Sequence, residues 1–187
     1  MDAEIQEYFE LTESEMDASI DHLKRELMKI STGKANPNMV SGILVSYYGS
    51  ETPLNQVANV TVADSRTLTI QPWEKSMIAP IEKAIFEANL GVTPQNDGEL
   101  VRLSIPPLTE DRRKQLAKQA KDQGEDTKVS IRNARRDLMN EIKKAVKDGY
   151  PEDAGKRKED EAESLTKKYV GRVDELVKNK EEDIFTI

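Results

Sequence analysis

The chain has 187 residues, with 28 basic and 35 acidic side chains and a formal net charge of −7. Hydrophobic residues make up 36% and charged residues 34%, which is too polar for a thick globular core and suits long amphipathic helices that bury one stripe. The lack of cysteine excludes disulfides and thiolate metal sites. No apolar run approaches the roughly 20 residues a membrane helix needs, and MDAEIQEYFE has no basic-then-apolar signal, so a cytoplasmic protein is expected.

In chain order, Met1 to Ile30 reads as a helix. Phe9, Met16, Ile20, Leu23, Leu27 and Ile30 recur at steps of three and four, with a polar gap at Thr12-Glu13, giving a narrow seam of coiled-coil period. The helix should stop at Ser31-Thr32-Gly33, with Gly33 as its C-terminal cap and Asn36-Pro37 blocking resumption. From Lys34 to Pro106 the pattern changes. Gly42 to Gly49, Val57 to Val62 and Thr67 to Ile70 are β-prone runs, with a turn at Asp64-Ser65-Arg66. Ser76 to Ala88 reads as a helix with Ile78, Ile81, Ile85 and Phe86 on its apolar face, and Trp73 just before it reads as core packing. Pro94 and Asn96-Asp97-Gly98 mark loops, Asp97-Gly98 being a hairpin signal, and Leu100 to Ile105 is a last strand ended by Pro106-Pro107.

From Thr109 the chain is helical again. Thr109 is a natural N-cap, and Glu110 and Asp111 sit at the positive end of the helix. The seam takes Leu116, Ala120, Ile131, Ala134, Leu138, Ile142 and Ala145. It is weak around Gln123, Gly124 and Thr127, where the helix can fray or bend. Asp148-Gly149-Tyr150-Pro151 stops this helix and starts another that runs to about Ile184, with Ala162, Leu165, Tyr169, Val173 and Leu176 on its seam. The middle helix should be about 60 Å long and the last about 50 Å.

Helices of this length with narrow stripes need one another. The expected fold is therefore α+β: a long antiparallel three-helix bundle from 1–30 plus 107–187, with a small β/α/β domain, 31–106, inserted into it. Two strands of chain, Ser31 to Asn36 and Ile105 to Leu108, connect the parts, and a double crossing with glycine and prolines can act as a hinge. The seam is used within the chain, so a monomer is expected.

Catalytic signatures are missing. Neither GxGxxG nor GxxxxGK[ST] occurs, nor GxSxG or HExxH. The single histidine, His22, lies between seam positions beside Asp21 and should face water. Carboxylate runs such as Glu181-Glu182-Asp183 lie on solvated helical faces, without the pocket that acid–base chemistry needs. No enzyme activity, cofactor or metal is expected.

Charge is distributed unevenly. Met1 to Ile30 carries three basic and nine acidic residues, whereas Thr109 to Asp148 carries twelve basic and eight acidic. At about 100° per residue, Lys114, Lys118, Lys121, Lys128, Arg132, Arg135, Arg136, Lys143 and Lys147 fall within about 120° of the middle helix. This basic rail, densest in VSIRNARRD, is suited to tracking a phosphate backbone, with arginine adding bidentate recognition. The same rail could instead form salt bridges to the two acidic helices, as in a helical adaptor protein. Sequence-specific DNA readout is not indicated, since no helix-turn-helix or zinc module is present.

Several segments resemble, in order and over the full length, the bacterial ribosome recycling factor family: STGKANPNM, GILVSYYGSETPLNQVANVTVADSRTLTIQPW, SMIAPIEKAIFEANLGVTPQNDG, LSIPPLTEDRRKQLAKQAK and VSIRNARRD. The resemblance implies an L-shaped two-domain protein whose bundle lies against ribosomal RNA of the large subunit. It implies that elongation factor G, using GTP, rotates the small domain about the hinge to split post-termination ribosomes, with initiation factor 3 preventing rejoining. By position it implies RNA contacts for Arg132, Arg135 and Arg136, with Lys128 and Lys121 along the same rail, and matches Lys24 and Lys29 to basic positions of the family. Ser31, Thr32, Gly33, Lys34, Ala35, Pro106 and Pro107 match the hinge. Lys34 departs from the family's usual arginine, and Ser31 stands where arginine is often found.

Overall fold

The computed structural model describes residues 1–186. The chain divides into two compact units, Met1–Ile30 with Lys114–Ile187, and Ser31–Arg113.

The first unit is helical. Helix α1 spans Asp2–Met28 and buries Ile5, Phe9, Thr12, Met16, Ile20, Leu23 and Leu27. The polar gap in the seam is thus filled by Thr12, which tolerates burial because its hydroxyl donates to the Tyr8 carbonyl at 2.8 Å. The helix ends sooner than its sequence suggests: Lys29 is the C-cap, and Gly33 is not the cap but a left-handed residue (φ 72°) farther along. Helices α3 (Glu110–Lys147) and α4 (Glu152–Phe185) complete the unit. A short turn joins them, with Gly149 at φ 111°, so they run antiparallel.

Helix α3 is continuous through Gln123, Gly124 and Thr127, where fraying or bending was expected. The reason lies in packing. A Cβ on Gly124 would stand 2.6 Å from Cγ2 of Val177, so the missing side chain lets α4 approach closely. Gly155 of α4 likewise meets Val146. Thr127 is buried and bonds back to the Gln123 carbonyl at 3.0 Å.

Side chains tie α1 to its neighbours in register. Tyr150, in the α3–α4 turn, donates to Asp2 at 2.7 Å. Tyr169 of α4, only 1% exposed, donates to Asp17 at 2.5 Å, and Arg172 reaches the same carboxylate at 3.5 Å. Ile5 and Phe9 join Leu138, Ile142, Tyr150 and Ala162 in one core cluster. These pairings make α1 parallel to α4 and antiparallel to α3.

The second unit contains two antiparallel sheets and a helix. Strands β1 (Leu44–Tyr47) and β2 (Ser50–Pro53) form a hairpin. Strands β3 (Ala58–Asp64), β4 (Thr67–Pro72), β5 (Pro94–Asn96) and β6 (Val101–Ser104) form a sheet in the order β3-β4-β6-β5. Helix α2 (Ile78–Glu87) follows a 3-10 turn at Lys75–Met77. Strands β2 and β5 were not expected. Both are short and polar and carry proline, the composition of an edge strand.

The core gathers Val40, Ile43, Val45, Leu54, Val57, Leu68, Ile70, Met77, Ile81, Ile85, Val101 and Leu103. Trp73 and Phe86 were expected in it but are 62% and 75% exposed. Aliphatic chains fill the space between sheet and helix, and Phe86 sits one residue round the helix from buried Ile85. Each ring leaves about 1.5–3 kcal/mol of burial unrealised.

Both crossing segments are fastened to one hairpin turn of the second unit. Asp64 accepts from the Arg66 N–H at 2.9 Å, shaping the β3–β4 turn as an Asx turn. The Ser65 carbonyl then accepts from Ala35 N–H at 2.8 Å, and the Arg66 carbonyl from Ile105 N–H at 2.7 Å. Just beyond these bonds Gly33 is buried against Leu108, whose Cγ would lie 2.9 Å from a Cβ at position 33.

Candidate nucleic-acid interface

The candidate surface is built on α3. Thr109 caps this helix, its Oγ1 accepting from Arg112 N–H at 3.1 Å. Glu110 and Asp111 stand in the first turn and Lys144 and Lys147 in the last, in keeping with the helix dipole. A capped, unbroken helix holds side chains at fixed spacing over a long rod.

The structure divides the rail into two sets. Lys128 and Arg135, at the edge nearest α4, are half-buried and tied to it. Lys128 Nζ lies 2.5 Å from Asp174 and 3.4 Å from Glu125. The hydrogen bond to Asp174 raises the Lys128 pKa against the opposing effect of burial. Arg135 meets Glu163 at 2.5 Å. Both cations therefore hold α3 and α4 in register. Lys121, Arg132 and Arg136 are exposed, and among the described residues no ion pair involves them.

Lys24 and Lys29 are exposed on α1 and its cap. Five positions place them roughly 140° apart on a helix, so they do not share a face. Lys29 is paired with Glu26 at 2.8 Å, and that bond is the main reason the Glu26 carboxyl lies below its usual range. Arg25 shares a face with His22 and Lys29 at spacings of three and four, a pattern legible in the sequence. His22 borders a shallow groove against Gln123, Asp126, Thr127 and Ser130 of α3. Lys121 and Lys128 border a different groove, between α3 and α4, with Lys178 and Glu181 on its far rim. The structure groups Lys121, Arg132 and Arg136 on one flank of α3 and leaves Lys24 and Lys29 outside that group. Lys178 joins the rim only through the α3–α4 register, for which no local sequence signal exists.

Of the crossing residues, Ser31, Pro106 and Pro107 are exposed, Thr32, Lys34 and Ala35 half-buried, and Gly33 buried. Gly33 N–H donates to the Ser31 hydroxyl at 3.2 Å. Among the described residues no cluster of His, Cys, Asp or Glu could hold a metal ion, and no helix is long and apolar enough to cross a membrane.

Known proteins share this architecture. The structure is similar to a ribosome recycling factor determined in solution, with a TM-score of 0.82 and 32% identity, covering 98% of each chain. It is also similar to the T. thermophilus ribosome recycling factor described with E. coli elongation factor G bound to the E. coli post-termination complex. There the TM-score is 0.67 at 39% identity, covering 97% of this chain and 99% of the other. The ribosome-recycling factor of Flavobacterium johnsoniae is 49% identical over 187 residues, all of both chains. That of Porphyromonas gingivalis is 48% identical over 185 residues, covering 98% of this chain and all of the relative. The family model for ribosome recycling factor matches residues 23–185. With a match over nearly the whole rod and the inserted unit alike, the chain belongs to the ribosome recycling factor family.

Proposed function

We propose that this protein acts on post-termination ribosomes with elongation factor G and GTP, splitting them into subunits and releasing them from messenger RNA. The observation that carries this reading is the full-length match to recycling factors, which spans both units. In this reading the helical unit is the anchor. Lys121, Arg132 and Arg136 meet phosphates of large-subunit ribosomal RNA, while Lys128 and Arg135 keep the rail straight from behind. Arg25 and Lys29, a turn apart on one face of α1, form a second, separate basic contact, with Lys24 on another face of that helix. The crossings at Ser31–Ala35 and Pro106–Pro107 are the pivot, and elongation factor G supplies the work. The chain itself hydrolyses nothing, acts as a cytoplasmic monomer, and depends on initiation factor 3 only afterwards, to keep subunits apart.

Light scattering of purified ribosomes tests the reading. Addition of the protein with elongation factor G and GTP should lower the scattering as subunits separate, and omission of any component should abolish the change. A protein that pellets with ribosomes yet never splits them under these conditions would overturn it.

A further inference from the structure

Helix α4 is acidic overall, with eleven acidic and eight basic residues between Glu152 and Phe185. Its cations nevertheless divide by face. Lys158 leans on the ring of Phe9, Lys168 and Arg172 on that of Tyr169, and Arg172 also meets Asp17. Those three are engaged inside the helical unit. Lys156, Lys167 and Lys178 are exposed, and among the described residues none of them forms an ion pair. They recur at steps of eleven residues. Eleven residues make three turns with about 20° left over, so the three lysines form one row with steps of about 16.5 Å.

The row has a counterpart. Lys121, Arg132 and Lys143 of α3 follow the same steps of eleven and are likewise exposed and without an ion pair among the described residues. Packing aligns the two rows. Gly124 lies against Val177, Lys128 meets Asp174, Arg135 meets Glu163, and Val146 lies against Gly155. In that antiparallel register Lys121 stands across from Lys178, and both border one groove. The same register sets Arg132 across from Lys167 and Lys143 across from Lys156. Three pairs of cations thus line the two lips of the α3–α4 groove. The carboxylates among them, Glu125, Asp174 and Glu163, are already engaged by Lys128 and Arg135. Folding does not account for the alignment, because like charges facing across a groove repel.

A glycine marks the same strip. Gly171 stands four residues past Lys167 and seven before Lys178, on their side of the helix. A glycine inside a helix costs stability. Gly124 and Gly155 are explained by close packing, whereas a Cβ on Gly171 would meet nothing within 4 Å. An open glycine among lysines lets a partner's backbone come close.

The chemistry of the strip selects its occupant. Lysines at long, regular steps, with no aromatic platform beside them, fit repeated point anions rather than bases or apolar side chains. Rows on both lips fit an RNA duplex, which proteins read by its shape and backbone across a wide, shallow groove. Resting on the reading above that the rod lies against large-subunit RNA, we propose that Lys156, Lys167 and Lys178, with Gly171 among them, form a second phosphate track on α4. The rod then grips duplex RNA across the α3–α4 groove rather than along α3 alone.

The test uses the full chain with Lys156→Gln, Lys167→Gln and Lys178→Gln combined and, separately, Gly171→Gln. Glutamine is a good helix former and all four positions are exposed, so thermal melts by circular dichroism should match or exceed wild type. On purified large subunits the triple variant should bind at least about tenfold more weakly, with a log affinity against log salt slope flatter by about 2, at roughly 0.7–0.9 per phosphate. Gly171→Gln changes no charge, so it should weaken binding at least about threefold while keeping the slope. Protein-free large-subunit RNA should show the same losses. Wild-type affinity and slope in the triple variant, or wild-type affinity in Gly171→Gln, would overturn the track. Losses on subunits but not on protein-free RNA would also overturn it, assigning the lysines to an acidic protein. The splitting assay separates the two readings. Wild-type protein that binds subunits through these lysines but never splits ribosomes removes the recycling reading and leaves the track. Wild-type protein that splits ribosomes, with a triple variant that binds and splits as well, removes the track alone.

Discussion

Arg132 and Arg135 stand three residues apart in different surroundings. Arg132 projects from α3 without a partner among the described residues, whereas Arg135 is tied to Glu163. Arg132→Ala together with Arg136→Ala should weaken binding to large subunits by about 1–2 kcal/mol per lost charge-assisted contact. It should also flatten the log affinity against log salt slope by roughly 1.5, at about 0.7–0.9 per phosphate. Arg135→Ala should leave that slope unchanged and lower stability by under about 1 kcal/mol, because the ion pair is partly solvated. Ribosome pelleting across a salt series, with urea melts of each variant, separates the two roles; equal slopes for all the proteins would remove the rail. Two glycines give a sharper contrast at the same scale. Gly171 of α4 has open space around it, so Gly171→Ala should stabilise by about 0.5–1 kcal/mol through helix propensity. Gly124→Ala gains the same propensity but drives a methyl into Val177, a β-branched side chain with little rotamer freedom. Overpacking of about 1–3 kcal/mol should win, and urea melts should show net destabilisation. A Gly124→Ala protein as stable as wild type would mean that α4 can yield at that point.

At the scale of elements, α1 and α4 are registered by Tyr169 and Asp17. Burial, then the hydrogen bond to Asp17, push the Tyr169 phenol up to about 12. A raised pKa in the folded state favours the neutral form, so its contribution is complete below the ordinary tyrosine value of about 10 and fades between there and about 12. Tyr169→Phe keeps the ring and removes the bond, at about 1 kcal/mol near neutral pH. Urea melts should show the gap between the two proteins shrinking above about pH 10, while the remaining tyrosines titrate alike in both. A constant gap would sink the assignment. Helices of this kind are legible in sequence because spacings of three and four survive even where Thr12 replaces an apolar residue. Less was legible where tertiary partners decide. The β2 run Ser50-Glu51-Thr52-Pro53 lacks apolar alternation, and its strand exists because β1 offers a partner. Phe86 and Trp73 are apolar by type and exposed by placement. The ties from Lys128 to Asp174 and from Arg135 to Glu163 join residues far apart in the chain. One helical wheel reveals the basic arc but not which of its members a neighbouring helix engages.

For the whole molecule the proposed hinge raises the question of where a turn at the crossing would be centred. The bonds from Ala35 to Ser65 and from Ile105 to Arg66 fix both segments to the same β3–β4 turn. If the crossing is the hinge proposed above, these bonds confine its rotation to the residues outside them, near Thr32–Lys34 and Pro106–Leu108. Gly33 lies within that stretch at φ 72°, in van der Waals reach of Leu108. Any side chain at position 33 meets two obstacles: about 1–2 kcal/mol for the left-handed conformation and a methyl pressed on Leu108. If this stretch is the pivot, Gly33→Ala should slow splitting driven by elongation factor G at saturating factor while leaving ribosome pelleting unchanged. Leu108→Ala in the same chain should recover part of the rate, since it relieves the contact but not the backbone strain. That partial rescue is the discriminating result. A merely destabilised protein would lose more function when a second apolar side chain is truncated, whereas a jammed pivot should regain it. Stopped-flow light scattering reads the rate directly, and a Gly33→Ala protein that splits ribosomes at the wild-type rate would place the turning point elsewhere in the chain.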